Sequence, residues 1–467
     1  MGSGPNGLTA AALLARRGWR VLVVEAHDRI GGGTRTAELT LPGFAHDVCA
    51  AVHPLAVGSP ALHGLDLERH GLHWVHPPSP LAHPLDGGRA VTLERDVAAT
   101  AHALGRDGPA YRALVGPLAR RWTSLASEVL APPLHLPRDP LLYARFGARA
   151  LTSARGLARR AFRDEPARAL WAGLAAHGML PLEAPLSSAG ATVLAAAGHA
   201  VGWPLARGGS SAVAEALATD LRDHGGEIVT GQRVDDLDAL PASRAVLLDL
   251  TPREVLRVAA DRLPEGYHRQ LRRYRYGPGV FKVDYALDGP VPWQAEACAH
   301  AGTVHLAGTL EEIASSERAV AAGRAPSHPF VLLAQPSLFD PGRAPAGRHT
   351  LWAYCHVPHG SDVDMTERIE TQIERFAPGF RQRILARATT NAPSFEAYNP
   401  NFVGGDVNGG LLDLRQLLAR PALRLDPYAT PDPRLFLCSA ATPPGGGVHG
   451  MAGFHAARSV WRRYGER

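Results

Sequence analysis

The sequence predicts an α/β fold in which a discontinuous, Rossmann-like nucleotide-binding domain carries an inserted α+β domain. A glycine turn, a helix and a buried strand follow one another at the start of the chain, and a similar order recurs after Gly208. A short strand, a Pro- and Gly-rich loop and a helix close the chain, whereas the region before them alternates as antiparallel strands do. Nucleotide-binding signals in three separated blocks indicate one domain interrupted by another.

The first block has a turn, a helix, a strand and an acid in the order that dinucleotide-binding folds use. Gly2, Gly4 and Gly7 spell GxGxxG, and LTAAALLARRG follows with helical spacing up to Gly18. The apolar run RVLVVEA is typical of a buried parallel strand. It ends in Glu25, 18 residues after Gly7. That separation is close to the ~20 residues expected for the acid that binds an adenosine ribose.

A glycine turn of this kind normally follows a strand of ~5–6 residues, but here only Met1 precedes Gly2. We therefore expect one of two situations. Either translation starts further upstream, where the missing strand is encoded, or the nucleotide site is weakened. An apolar, β-branched run in the upstream codons would support the first alternative.

The second block repeats the helix-to-strand order. Gly208 and Gly209 precede an amphipathic helix that ends near Gly225, and EIVTGQRV predicts the next strand. AVLLDL predicts a further buried strand that ends near Asp249. From Arg272 onward, alternating stretches such as GVFKVDYALDGPVPW predict antiparallel strands.

The third block is a short strand from Leu435 to Cys438, a loop over 443–447 and a helix that begins near Gly450. The start of a helix offers free N–H groups and partial positive charge. Such an end suits the electron-rich edge of a flavin ring. A simple loop before a packing helix is the alternative.

Residues 96 to about 200 predict mainly helices, and part of this region is strongly basic. Between Arg112 and Arg168 there are 11 Arg and four acidic residues, a local charge of +7 in a chain whose total is +5. Few aromatic residues and no recognisable module accompany these arginines, which argues against nucleic acid as a partner. An anionic membrane surface or an acidic substrate fits the segment better, and a solvated helical face is the alternative.

Composition excludes several other classes of protein. With 467 residues, 45% of them hydrophobic and 20% charged, the chain predicts a soluble globular protein of two or more domains. No apolar run of ~18 residues and no signal leader is present, so we expect a cytoplasmic protein, with peripheral contact at the inner face of the membrane as an option. The four cysteines are far apart and predict free thiols. His70, His73 and His76 lack residues that would complete a metal site, so none is predicted.

Several stretches together resemble the phytoene desaturase-like branch of the FAD-dependent amine oxidase superfamily. They are, in chain order, GSGPNGLTAAALLARRGWRVLVVEA, GGGTRT, GWPLARGGSSAVAEALATDLRDHGGEIVTGQRV, YNPNFVGGDVNGG and LCSAATPPGGGVHGMAGFHAA. The resemblance spans nearly the whole chain. It implies a two-domain flavoprotein that binds FAD and acts as a desaturase or related oxidase of a hydrophobic substrate, carotenoid precursors among them.

The resemblance also implies which residues bind the cofactor. The ADP half is expected at Gly2, Gly4, Gly7 and Glu25, the diphosphate along Gly31, Gly32 and Thr36, the adenine beside Val234, and the flavin ring at the turn Gly445–Met451, which includes Gly446, Gly447, His449, Gly450 and Met451. The sequence departs from the superfamily at Ser439 to Ala441, where Gly-Asp or Gly-Ala-Gly is usual. Contact of an acid with the flavin ribityl chain is then in doubt, and the hydroxyl of Ser439 is the substitute.

Lys282 is the only lysine among 49 basic residues. Its stretch, GVFKVDYALDGPVPW, resembles the superfamily strand whose lysine is bound through a water to flavin N5, ahead of an aromatic turn that here ends in Trp293. Burial lowers the pKa of a lysine enough for proton exchange, whereas a guanidinium stays charged. We therefore predict a catalytic role for Lys282. A lysine that composition drift spared is the alternative.

His449 is the second catalytic candidate, because it lies between the glycines and Met451 in the predicted flavin-facing turn. It is expected to bond the flavin or steer substrate, and packing at a helix start is the alternative. Asp47, His53 and Asp406 lie in loop-like segments and are weaker candidates for the rim of a substrate channel.

The sequence thus predicts an FAD-dependent oxidoreductase that removes hydride from a C–H bond of a hydrophobic substrate, with flavin N5 as acceptor. A flavin amine oxidase and a non-catalytic flavin-binding protein are the alternatives. Amine sites often use an aromatic pair, and only 6% of this chain is aromatic. The predicted segments are FAD-binding parts at 1–85, 201–262 and 426–467, a helical substrate- or membrane-facing cap at 86–200, and a substrate domain with an antiparallel sheet at 263–425.

Overall fold

The computed structural model describes residues 1–465, so the last two residues of the predicted segment 426–467 lie outside the described part. Its helices are α1 (Pro5–Ala15), α2 (Pro54–Val57), α3 (Pro60–His63), α4 (Val97–Ala103), α5 (Gly108–Ala119), α6 (Trp122–Val129), α7 (Pro140–Ala150), α8 (Ala154–Ala161), α9 (Glu165–Ala176), α10 (Ser188–Val201), α11 (Ser211–Asp223), α12 (Pro252–Ala259), α13 (Glu265–Arg272), α14 (Leu310–Ala321), α15 (Pro336–Phe339), α16 (Thr366–Phe376), α17 (Ala392–Tyr398), α18 (Leu414–Leu418) and α19 (Met451–Tyr464). Its strands are β1 (Leu22–Val24), β2 (Thr36–Glu38), β3 (Ala45–Asp47), β4 (Trp74–Val75), β5 (Ser79–Leu85), β6 (Arg89–Leu93), β7 (Leu205–Ala206), β8 (Glu227–Val229), β9 (Val246–Leu248), β10 (Gly279–Leu287), β11 (Ala301–Leu306), β12 (Val331–Ala334), β13 (His349–Val357), β14 (Ile384–Thr390) and β15 (Leu435–Leu437).

The nucleotide-binding half combines segments from three parts of the chain, and the predicted α/β fold is confirmed. Strand β1 pairs in parallel with β8, and β9 pairs in parallel with β15. Helix α1 contacts both α11 and α19. These strands are short and largely apolar, and their partners lie some 200 residues away in the sequence. Parallel pairing requires such long connections, which here contain the rest of the protein.

Met1 lies between the two parallel strand pairs. Its amino group donates to Leu247 O (2.8 Å), and its carbonyl accepts the N–H of Asp249 (2.9 Å). On the other side, Gly2 N donates to Val24 O (2.9 Å). Met1 and the N–H of Gly2 therefore bridge β1 and β9 with the backbone hydrogen bonds that a single residue of an intervening strand would make.

The other half is built on a seven-stranded sheet with the order β14-β10-β13-β12-β11-β5-β6. The predicted antiparallel strands form its centre, where Lys282 of β10 lies opposite Tyr354 of β13. Strand β5 pairs in parallel with β11 and antiparallel with β6. The segment 79–85, which the sequence prediction placed in the first nucleotide-binding part, belongs to this sheet because it pairs with β11 and β6. Its partner β11 lies more than 200 residues further along the chain, so this pairing was not visible in the local sequence.

The helices of the predicted cap pack directly on this sheet. Trp171 of α9 and Phe162 form an edge-to-face pair with ring centroids 6.3 Å apart. Both side chains belong to one buried cluster that also contains Leu332 of β12 and Trp352 of β13. Helices and sheet thus share a single core. Within residues 1–465, no helix is both long enough and apolar enough to cross a bilayer.

Helix α1 and helix α19 approach each other through a glycine. A Cβ atom added at Gly453 would lie 1.9 Å from Asn6 O and 3.0 Å from Ala10 N. These neighbours are backbone atoms of α1, so they cannot move aside as a flexible side chain would. The absence of a side chain at residue 453 therefore sets the distance between the first and last helices of the described chain.

We expect Gly453→Ala to lower the free energy of unfolding by about 1–3 kcal/mol, because overpacking forces α19 away from α1. Gly147→Ala in α7 is the matched control, since a Cβ there meets nothing within 4 Å. That control should raise stability by up to ~1 kcal/mol through helix propensity. Denaturant titration measures both changes, and equal effects of the two substitutions would contradict the packing argument.

Candidate functional site

A cavity of about 520 Å³ lies between the nucleotide-binding half and the seven-stranded sheet. This volume falls within the ~300–1,000 Å³ that small-molecule sites occupy. The residues predicted from the sequence that line it are Gly2, Gly4, Glu25, Gly32, Val234, Lys282, Ser439 and Gly447. Those that lie outside its lining are Gly7, Gly31, Thr36, Gly446, His449, Gly450 and Met451. The structure thus gathers residues from all the predicted blocks around one space.

The glycine turn forms one wall of the cavity, and its glycines permit close backbone contacts. Gly2 has φ +93°, a conformation that favours glycine. A Cβ at Gly7 would lie 2.4 Å from Gly2 O. Gly4 is the N-cap residue of α1, and because it has no side chain it makes no capping hydrogen bond. The turn therefore presents backbone and the N-terminus of α1 to the cavity.

The second glycine cluster packs on the first. Gly31 N donates to Ser3 O (3.0 Å), and a Cβ at Gly32 would lie 3.0 Å from the Cα of Gly4. Thr36, in contrast, points away from the cavity. Its hydroxyl donates to Asp47 Oδ1 (2.9 Å) and accepts the N–H of Ser211 (3.1 Å). Thr36 thus stabilises the scaffold beneath the glycines.

Glu25 lies at the carboxyl end of β1 and is hydrogen-bonded on both carboxylate oxygens. Oε2 accepts from Ser3 N (2.8 Å) and from the Ser3 hydroxyl (2.6 Å). Oε1 accepts from His27 N (2.9 Å) and from the guanidinium of Arg35 (3.2 Å). Gln232 N donates to the carbonyl of Glu25 (2.9 Å), which brings Val234 to the same end of the cavity. A ribose that binds Glu25 must therefore replace or share one of these donors.

Asp249 is a cavity residue to which the sequence reasoning assigned no role. It directly follows β9, and its Oδ2 accepts the N–H of Gly7 (3.1 Å). A Cβ at Gly4 would lie 2.8 Å from the same oxygen. Burial raises the pKa of Asp249 to about 6, against the opposing hydrogen bond from Gly7. An acid at the end of one predicted strand was visible in the sequence, but its contact with the glycine turn was not.

The C-terminal turn contributes Ser439 and Gly447 to the cavity wall. The Ser439 hydroxyl donates to Leu250 O (2.8 Å) and accepts the N–H of Ala441 (3.2 Å). A Cβ at Gly446 would lie 2.6 Å from Asn408 O. The turn therefore packs closely on the YNPNFVGGDVNGG segment, which contains Asn408.

His449 lies behind this turn and caps α19. Its Nδ1 accepts the N–H of Met451 (3.0 Å), and its carbonyl accepts the hydroxyl of Ser59 (2.5 Å). Burial lowers the pKa of His449 to about 4. Within the described residues its Nε2 has no hydrogen-bond partner. These contacts support the helix-start role that was the alternative, and His449 does not reach the cavity wall.

Lys282 is buried on β10 and lines the cavity opposite the glycine turn. Its Nζ forms a short ion pair with Asp284 Oδ2. Residues two apart on a strand share one face, so this partner was available from the sequence. Burial raises the pKa of Asp284 to about 6, and the Lys282 charge opposes that rise.

A second layer of polar residues lies behind the Lys282 pair. His46 Nδ1 is 3.5 Å from Asp284 Oδ1. Burial, followed by the Lys282 charge, lowers the pKa of His46 to about 3. Its Nε2 and the hydroxyl of Thr40 are 2.8 Å apart. A neutral imidazole thus backs the carboxylate.

Two aromatic side chains of β13 stand beside Lys282. Trp352 and Tyr354 line the cavity with ring centroids 4.9 Å apart and planes at 79°. The Lys282 ammonium lies 5.8 Å from the centre of the Trp352 ring. Trp293, the aromatic residue expected after the lysine strand, instead donates its indole N–H to Gln335 Oε1 (2.9 Å) outside the cavity lining.

The three weaker rim candidates are buried in the scaffold. Asp47 pairs with Arg343 (2.9 Å), and both side chains are 1% exposed. His53 Nε2 lies 2.8 Å from the hydroxyl of Ser210. Asp406 accepts the N–H of Gly277 (2.7 Å). None of the three appears in the cavity lining.

Comparison with known proteins places this geometry in context. The sequence profile of the flavin containing amine oxidoreductases matches residues 6–460. Pyridine nucleotide-disulfide oxidoreductase domain-containing protein 2 of Mus musculus is 27% identical over 99% of this chain and 92% of its own length. A limonene dehydrogenase subunit from Castellaniella defragrans is 30% identical over 28% of this chain and 24% of its own. The structure of cyclohexylamine oxidase from Brevibacterium oxydans has a TM-score of 0.60 and 16% identity, covering 99% and 97% of the two chains, a likeness of fold alone.

We predict that acid destabilises the protein steeply below pH 6.5. Burial lowers the pKa of several histidines, which unfolding returns to about 6.5: His46 and His177 from about 3, and His53, His83, His449 and His455 from about 4. Each takes up a proton on unfolding, so stability present above pH 6.5 is lost at up to about 1.4 kcal/mol per pH unit per histidine. Asp249 and Asp284 oppose this trend, because raised carboxyl pKa values stabilise at low pH and that contribution is lost as pH rises through about 6.

The midpoint of thermal unfolding between pH 7 and pH 5 measures this dependence. His177→Phe should make it shallower, whereas His300→Ala, which removes a side chain 59% exposed, should leave it unchanged. A midpoint that stays constant across this range would contradict the prediction.

Proposed function

The chain belongs to the flavin containing amine oxidoreductase family, and from this premise we propose that it removes hydride from a C–H bond of a hydrophobic substrate. It is an FAD-dependent oxidoreductase. The proposed reaction is a dehydrogenation like that of phytoene desaturases, with the substrate in the part of the cavity beside Lys282.

The residues of the cavity fit FAD. Gly4 and Gly32 approach so closely that a side chain at residue 32 would meet the backbone of residue 4. The N-terminus of α1 offers partial positive charge to a diphosphate. Glu25 and Val234 form the end suited to the adenosine. When bound, FAD supplies the acceptor for the hydride.

The observation that carries the proposal is the chemistry of the wall beside Lys282. Val280, Leu332 and Trp352 are almost fully buried and line the cavity there. Among the described residues, the carboxylates that line the cavity are Glu25, Asp249 and Glu254, and all belong to the nucleotide-binding half. An apolar substrate gains free energy from contact with such a wall, whereas a substrate ammonium finds no carboxylate on it. Similarity over part of the chain to a limonene dehydrogenase subunit, named for a hydrocarbon, supports this choice.

Lys282 is the proposed proton-handling residue. An ammonium has three N–H donors, and the ion pair with Asp284 uses one of them. The remaining donors hold a water beside the substrate, and in the proposed dehydrogenation this water takes up the proton that leaves the carbon next to the one that loses hydride. Asp284 fixes the position of Nζ. A larger planar guanidinium at residue 282 does not fill that place with the same geometry.

Amine oxidation is the second candidate, and a specific feature favours it. Trp352 and Tyr354 form a perpendicular aromatic pair on the cavity wall. Aromatic faces attract amines through cation–π interactions. The similarity of fold to cyclohexylamine oxidase agrees with this reading.

Anaerobic bleaching of the bound flavin tests the proposal. We expect polyisoprenoid hydrocarbons to reduce the flavin and primary amines to leave it oxidised, because of the apolar wall. Lys282→Arg should slow the reduction at least about 100-fold, the contribution typical of a proton-transfer residue. Stopped-flow absorbance measures the rate.

Tyr285→Phe is the matched control for Lys282→Arg. It lies on the opposite face of the same buried strand, and its hydroxyl has no partner among the described residues. It should leave the rate of flavin reduction unchanged. Bleaching by amines alone would favour the second candidate, and normal reduction in Lys282→Arg would remove Lys282 from the mechanism.

Contact with an anionic membrane is the proposed source of an apolar substrate. Exposed leucines lie within the basic segment 112–168: Leu136 is 95% exposed, Leu141 61%, Leu134 59% and Leu151 53%. Arg138 and Arg145 are exposed between them. Apolar side chains that insert and arginines that bind lipid phosphates are the two signals that stable surface binding requires. Two arginines of the basic segment form ion pairs within the protein: Arg155 and Arg159 pair with Glu311 (2.8 and 2.7 Å).

We expect the protein to sediment with phosphatidylglycerol vesicles, less with phosphatidylcholine vesicles, and less at high salt because salt screens the arginines. Leu136→Asp should weaken binding roughly tenfold, since the transfer of a leucine side chain is worth about 1.5–3 kcal/mol. Leu425→Asp is the control, because that leucine is 96% exposed but lies outside the basic segment. Equal binding to both kinds of vesicle would contradict the proposal.

A further inference from the structure

We propose that Asp249 binds the diphosphate of FAD as a neutral acid, so that the cofactor enters this site together with a proton. The inference rests on the proposed placement of the diphosphate at the glycine turn. It concerns cofactor affinity and is independent of which substrate the protein oxidises.

The backbone holds Asp249 against the turn. Its N–H donates to Met1 O (2.9 Å), and its carbonyl accepts from Asn401 Nδ2 (3.2 Å). A Cβ at Gly2 would lie 3.0 Å from the Asp249 Cβ. These contacts hold the backbone of Asp249 in place. Its side chain extends across the glycine turn, and Asp249 lines the cavity.

The carboxyl group lies at the amides that an anion would use. Oδ2 accepts the N–H of Gly7 (3.1 Å), in the first turn of α1. Pro5 is the first residue of that helix and has no N–H to offer. Gly4, which precedes it, has no side chain to cap the helix. Asp249, from 242 positions away, thus occupies part of the anion-binding end of α1.

A carboxylate and a diphosphate at one helix end repel each other. Loss of the Asp249 charge removes that repulsion, and it leaves a carbonyl oxygen that still accepts the Gly7 N–H. The O–H of the neutral acid is then a donor for a phosphate oxygen. Protonation therefore converts a competitor of the diphosphate into one of its ligands.

The surroundings of Asp249 favour the neutral form at a pH near neutrality. Burial raises its pKa to about 6, and the Glu25 charge at the end of β1 acts in the same direction. The N–H groups of Gly7 and Gly4 and the amino group of Met1 oppose the rise. Burial lowers the pKa of that amino group, so its opposition weakens as the pH rises. Cys438, at the end of β15, adds no charge, because burial raises the pKa of its thiol well above the ordinary value. A diphosphate adds negative charge beside Asp249 and raises this pKa further.

The test is the affinity of the flavin-free protein for FAD between pH 5.5 and 8.5, measured by quenching of flavin fluorescence. Above pH 6 we expect the Kd of the wild-type protein to rise by up to about tenfold per pH unit, the limit for one coupled proton. Calorimetry at pH 7.5 in buffers of different ionisation enthalpy should detect net proton uptake, up to one proton per FAD. The calorimetric result needs no variant.

Asp249→Asn keeps the hydrogen-bonding shape without a titrating proton. We expect its Kd to vary much less with pH than the wild-type Kd, with only the Met1 amino group left to titrate nearby, and to lie below the wild-type value at pH 8. Glu254→Gln is the control, since it removes another cavity-lining carboxylate and should retain the pH dependence of the wild type.

A wild-type Kd that does not vary with pH, or an Asp249→Asn variant that keeps the pH dependence, would overturn the inference. Asp249→Asn binding that is weakened equally at every pH would assign the residue to capping of α1 and would also overturn it. A substrate result that favours amines leaves this inference intact. Failure of the wild-type protein to bind FAD at all pH values would overturn both the inference and the proposed cofactor site.

Discussion

Close packing of backbone on backbone around α1 is the constraint on which the cavity depends. A Cβ atom at Gly453 of α19 would overlap the backbone of Asn6, and one at Gly32 would lie 3.0 Å from the Cα of Gly4, tighter than an ordinary contact. Because backbone atoms cannot rotate away, these contacts limit how closely α19 and the second glycine cluster approach α1 and the turn before it. The position of that turn at the cavity wall depends on both contacts.

Strand direction explains why the polar residues of the nucleotide end meet. The strands β1 and β9 are parallel to their partners, and Met1 and Gly2 connect them through backbone hydrogen bonds, Met1 to Leu247 and Asp249 and Gly2 to Val24. The carboxyl ends of the strands consequently lie at one edge, where Glu25 follows β1 and Asp249 follows β9. Open α/β sheets bind ligands at this edge. The two acids differ in their partners: hydrogen-bond donors surround Glu25, whereas Asp249 faces the helix end that an anion needs.

The opposite end of the cavity has a different electrostatic character. There Lys282, paired with Asp284, lies beside the apolar side chains of Val280, Leu332 and Trp352. Electrostatic interactions are stronger where water is excluded, so a single buried cation has more effect there than a surface lysine would. The charged residues Glu25 and Asp249 and the apolar side chains beside Lys282 thus lie at separate parts of one cavity, as the proposed pairing of an anionic cofactor with an apolar substrate requires.

The sequence by itself determined the elements and the residues whose position depends on near neighbours in the chain. The glycine turn, the helix α1, the strand that ends in Glu25 and the lysine strand β10 all follow from local spacing. The two-residue period of a strand also places Lys282 and Asp284 on one face, but their ion pair was not predicted. Only the tertiary structure decided the contacts between distant segments. These are the pairing of β5 with β11, the approach of Asp249 to Gly7, and the placement of His449 behind the C-terminal turn. The physical reason is that such contacts depend on the summed packing of the whole core, which no local pattern of residues encodes.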